Sequence, residues 1–164
     1  MAKIIYKGLF LDDESARILV EAQRIKLDSV IQNMHCTFQY RPEFEFPEEI
    51  VGKEYSVKVI GYGADDNNSG FQVELPQEIK QYYVNRKTVK NGSEIPRVEE
   101  IIPHITVSIA QGAKPIDTGN LDFKKIEESF YIKGRMGYFL EGEKVSYQQP
   151  EKEMLDNEVV NIDR

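Results

Sequence analysis

The chain is poor in cysteine, poor in histidine and has no long apolar run. Its 164 residues include one cysteine, Cys36. A lone cysteine excludes an intrachain disulfide and a thiolate metal cluster, and it fits a reducing, cytoplasmic setting. No apolar stretch approaches the length of a membrane span, and the N-terminal run IIYKGLFL is interrupted by Lys7. Positive charge is also in deficit, at a formal −7. Tracking along a duplex would need a local basic groove on an acidic body, so the balance favours a small ligand or a nucleic-acid end. The histidines number two, and each stands two places before a threonine: His35-Cys36-Thr37-Phe38 and His104-Ile105-Thr106-Val107.

The length fits one domain able to bury a core. Residues 1–147 form that domain, and the charged segment 148–164 reads as a loosely held tail. Residues 3–11 read as a strand and 13–26 as a helix capped by Asp12 or Asp13. Residues 33–40 read as a strand closed by Pro42. Strands at 55–63 and 71–75 flank the turn-forming segment ADDNNSG. Residues 76–87 read as a second helix, 104–110 as a strand, and 129–140 with 143–147 as a hairpin through Glu141-Gly142. Strand end, acid or proline, helix, and then a strand carrying His-x-Thr occur twice in this order. The chain therefore reads as α+β with two lobes, each an antiparallel sheet with its helix outside, facing one another across a cleft.

On a strand, residues i and i+2 share a face. His35 and Thr37 then project together, with Gln39 and Arg41 continuing that face, while Cys36 and Phe38 turn to the core. His104, Thr106 and Ser108 share a face in the same way. One neutral imidazole can take a proton from water while the other, protonated, gives one to a leaving oxygen. Two hydroxyls can hold the oxygens of a phosphate between them. That set suits phosphodiester cleavage without metal or cofactor. A two-histidine metal site lacks an in-frame carboxylate, and zinc usually takes more protein ligands. With four threonines in the chain, a given position is threonine about once in forty, so two chance hits are rare.

These motifs resemble those of the 2H phosphoesterase superfamily, the LigT-like or cyclic phosphodiesterase group. Its members carry one His-x-Thr/Ser-hydrophobic motif in each lobe of a duplicated α+β fold. The resemblance spans most of residues 3–147. It implies catalytic roles for His35 and His104, with Thr37 and Thr106 on the phosphate. It leaves open which histidine is the base. Family members act on RNA 2′,3′-cyclic phosphate ends, on other cyclic phosphates and 2′-5′ linkages, and on cyclic nucleotide signals. Some phage members destroy the cyclic oligonucleotides of bacterial defence. Similarity in style to RNA-repair cyclic phosphodiesterase domains favours an RNA 3′ end. Charge and size favour a small cyclic nucleotide or cyclic oligonucleotide, with neither duplex nor membrane as partner. A non-catalytic nucleotide-binding module is the third reading.

Around the motifs, Tyr6, Gln39, Tyr40, Arg41 and Ser108 are candidate substrate contacts: tyrosines for stacking on a base, arginine for a phosphate. Lys80, Arg86, Lys87 and Lys90 form a basic run with Tyr82 and Tyr83 that reads as a solvated helix face.

Overall fold

Asp12 decides how the chain leaves its first strand. In the computed structural model, which describes residues 3–42, 44–84, 89–90, 93–94 and 102–149, β1 (Ile4–Leu11) runs directly into α1 (Asp13–Ala22). The Asp12 carboxylate accepts from the Ser15 N–H at 2.8 Å. Asp13 and Glu14 follow in the first turn, where the positive end of the helix favours them. The helix stops at Ala22, short of the expected 26. Its continuation loses to tertiary partners: the Arg24 and Ile25 N–H groups donate to the Tyr62 hydroxyl at 3.1 and 3.0 Å.

The remaining elements are β2 (Ser29–Val30), β3 (His35–Tyr40), β4 (Glu54–Ala64), β5 (Asn68–Glu74), α2 (Gln77–Lys80), β6 (Val89–Lys90) and β7 (Ser93–Glu94), then β8 (His104–Ile109), a 3-10 helix (Pro115–Asn120), β9 (Lys124–Leu140) and β10 (Lys144–Ser146). The second helix is one turn, not the twelve residues expected. Tyr82 and Tyr83 leave it to pack edge-on against Phe46 and Phe38. Arg86 and Lys87 of the basic run lie outside the described residues. β5 starts inside the stretch read as turn, because the Asp65 carboxylate closes the bend early by accepting from Asn67 and Asn68 N–H. β9 begins five residues before the expected hairpin. The 3-10 helix and β2 carry no signal that pattern reading caught.

The fold is α+β, with a mostly antiparallel sheet and few helices. The sequence led to an expectation of two sheets. Hydrogen bonding instead joins eight strands into one sheet, in the order β2-β8-β5-β4-β9-β1-β3 with β10 beside β9, while β6 and β7 pair separately. The long β9 makes the join, pairing β1 along 134–140 and β4 along 124–135. β3 ends one side of this path and β8 lies near the other end, yet the two touch, so the sheet curls until its flanks meet. Leu9, Leu19, Cys36, Val107, Ile105 and Met136 are fully buried in the core. Each such side chain contributes about 1.5–3 kcal/mol on leaving water. Among the described residues no helix is long and apolar enough to cross a membrane.

Candidate active site

Each histidine opens a strand that pairs with the strand preceding a helix. His35 lies opposite Phe10 and Thr37 opposite Gly8; His104 lies opposite Gln72 and Thr106 opposite Gly70. Both glycines are forced by close approach. A Cβ on Gly8 would sit 2.4 Å from the Cys36 carbonyl oxygen, and one on Gly70 would sit 2.6 Å from that of Ile105. The hydrophobic fourth residue of each motif then breaks the ladder. Pairing jumps from Thr37 to Gln39 past Phe38, and from Thr106 to Ser108 past Val107. These are β-bulges, one per motif. Their carbonyls are taken up crosswise: Phe38 accepts from Val84, which follows α2, and Val107 accepts from Ile31, which follows α1.

A bulge reverses the alternation beyond it. This corrects the faces expected for Gln39 and Ser108. Gln39 pairs with Lys7, whose ammonium lies over the Phe46 ring, so Gln39 leaves the histidine face. Tyr40 takes its place, paired with Tyr6 and stacked on it at 6.4 Å between ring centroids. Ser108 pairs with Ser69 and is 0% exposed. Its hydroxyl donates to Gln23 Oε1 at 2.8 Å and accepts from the Leu27 N–H, so it ties down the end of α1 rather than lining a cleft. Arg41 has a left-handed backbone, φ 52°, and its guanidinium lies over the Tyr40 ring.

The imidazoles are held alike. His35 Nδ1 lies 2.9 Å from the Asn33 carbonyl oxygen, and His104 Nδ1 lies 2.8 Å from that of Ile102. A carbonyl only accepts, so each Nδ1 carries a proton, and in the neutral ring each Nε2 carries the lone pair. Burial pushes the His35 pKa down to about 4; His104 nearby adds to the lowering and the Asn33 carbonyl opposes it. The ring stacks on Tyr6 at 4.6 Å and lies beside Phe10. The Tyr6 hydroxyl is 3.1 Å from His35 Nδ1, so its oxygen is a second acceptor for that proton. Burial raises the Tyr6 pKa, with Tyr40 adding to it, which keeps the phenol protonated. His104 packs beside Phe123.

The threonines differ. Thr37 is half-buried and its hydroxyl makes no hydrogen bond among the described residues. Thr106 is 9% exposed and its hydroxyl donates to the Pro115 carbonyl at 3.2 Å, under the 3-10 helix. Cys36 is a buried thiol pushed up to about 12 by burial, partly offset by the His104 backbone amide beside it. Among the described residues no group of three or more His, Cys, Asp or Glu stands ready for a metal ion. The neighbours that sequence reasoning missed are Phe10, Gln72 and Phe123. Cross-strand register brings the first two in, and only the chain path into β9 brings in the third. No family model matches the chain, and no curated protein matches it.

Proposed function

We propose that the chain is a 2H-type phosphodiesterase that hydrolyses a cyclic nucleotide or cyclic oligonucleotide by acid–base catalysis between His35 and His104, with no metal required. The two strand–helix–strand units are read as the lobes of a duplicated fold, each offering one motif to a shared cleft. The observation that carries this is the matched tethering of the imidazoles. Both Nδ1 atoms are held by the carbonyl two residues upstream, on strands brought into contact from opposite flanks of one sheet.

Burial keeps His35 neutral at pH 7, so its Nε2 lone pair is free to act as the base. Its Nε2 takes a proton from water as the water oxygen bonds to phosphorus. The P–O bond on the far side breaks, and His104, protonated at Nε2, gives its proton to the departing oxygen. Thr37 donates to a non-bridging oxygen, where charge develops. Thr106 does the same after turning from Pro115. The Tyr6 proton, not needed by His35, is available to the same ligand.

The test is a hydrolysis panel in EDTA: 2′,3′-cyclic mononucleotides, an RNA with a 2′,3′-cyclic end, and cyclic di- and trinucleotides. His35→Ala and His104→Ala are each expected to lower turnover about 10²–10⁴-fold. Turnover of the RNA end alone would move the substrate to RNA processing. Ligand binding without turnover of any substrate would leave a nucleotide-binding module.

A further inference from the structure

β3 carries His35 at its start. At the other end of that strand a cleft of about 460 Å³ is lined by Lys3, Ile4, Ile5, Tyr40, Arg41, Pro42 and Glu141. Two cations, one aromatic ring and one carboxylate meet there. Tyr40 is 51% exposed. The bulge at Phe38 turns it onto the histidine face, and Tyr6 contacts both ends, stacking on Tyr40 and on His35. Arg41 adopts a backbone conformation that favours glycine, held by its N–H donating to the Ile5 carbonyl at 2.8 Å. That conformation carries the guanidinium back over Tyr40.

Resting on the phosphodiesterase reading, we infer that this cleft is a second nucleotide subsite, and that the substrate is an oligonucleotide, not a mononucleotide. A base takes the place of the Arg41 guanidinium over the Tyr40 ring, as bases stack on exposed aromatics. Arg41 and Lys3 take the phosphate of that unit, supplying local positive charge on an acidic protein. Glu141 accepts from a ribose hydroxyl or an exocyclic amine. Tyr6 bridges the two ends, its ring centroid 4.6 Å from that of His35 and 6.4 Å from that of Tyr40, so a base on Tyr40 belongs to a unit next to the one at the histidine.

The probes are adenosine 2′,3′-cyclic phosphate, a linear adenosine trinucleotide ending in 2′,3′-cyclic phosphate, and cyclic triadenylate, all in EDTA. One trinucleotide is expected to exceed the mononucleotide at least tenfold in kcat/KM, and which one names the linear or cyclic source. Tyr40→Ala and Arg41→Ala are each expected to reduce that ratio at least fivefold, through KM. A ratio near one in the wild type, or one that neither variant moves, overturns the subsite. Should neither these probes nor the wider panel be turned over, the phosphodiesterase reading fails, and fluorescence anisotropy of a 5′-labelled linear triadenylate decides the subsite alone. A dissociation constant raised at least fivefold in both variants supports it; an unchanged constant rejects it.

Discussion

His35 concentrates the chemistry of one flank in a single ring. Its pKa, lowered to about 4 by burial, lies below the ordinary value of 6.5 that the unfolded chain retains. Between those values the unfolded state binds the proton and the native state does not. Stability is therefore full above about pH 6.5, falls as pH drops toward 4, and levels off below. The loss amounts to at most about 3 kcal/mol. Urea denaturation of wild type and His35→Gln across pH 4–7 measures it, and the variant is expected to show the shallower slope. The same shift places the acid limb of kcat/KM near pH 4; a limb near 6.5 would show that the His35 ring keeps its ordinary pKa in the native protein. The spacing of the two motifs made both histidines and both threonines legible in the sequence. Burial was not legible, because it depends on Tyr6 and Phe10 from another strand.

At the scale of elements, the two motif strands share a construction that residue identity alone conceals. Each has a histidine tethered at Nδ1, a threonine facing a glycine, and a bulge at the next residue. The glycines make the close strand approach possible. Gly8→Ala or Gly70→Ala would drive a methyl into backbone, which cannot swing aside as a side chain can. Each is expected to cost about 1–3 kcal/mol or more in chemical denaturation, with activity falling alongside. A cost below about 0.5 kcal/mol at either position would mean the strands relax freely and the pairing is not required. Strict alternation predicted Gln39 and Ser108 on the histidine faces. A single extra residue in the ladder reversed both, and nothing in Thr37-Phe38 or Thr106-Val107 announces it locally. The end of α1 was misread for a related reason, since Tyr62 lies far along the chain and no glycine or proline marks the stop.

For the molecule as a whole, closure of the sheet brings the motifs together, and chain segments distant in sequence secure that closure. The charged stretch from 148 predicts a loose tail, and residues 150–164 lie outside the described residues. Gln149 is nonetheless tied in: its amide donates to the Phe46 carbonyl at 2.7 Å and its Oε1 accepts from the Tyr138 hydroxyl. Tyr138 is fully buried and also accepts from the Phe46 N–H at 2.9 Å. Gln149→Ala is expected to lower stability by about 1–2 kcal/mol in thermal or urea unfolding, because buried polar atoms lose partners. A variant as stable as wild type would show the segment to be dispensable there. The sequence by itself determined the α+β class, the opening strand and capped helix, and the two histidine–threonine frames, since propensity, capping and alternation act over a few residues. Only the tertiary structure decided that both motif strands join one eight-stranded sheet, that Tyr40 and not Gln39 joins the histidine face, and that Ser108 is core. Those outcomes depend on register between strands far apart in the chain, where one unpaired residue turns every following side chain to the opposite face.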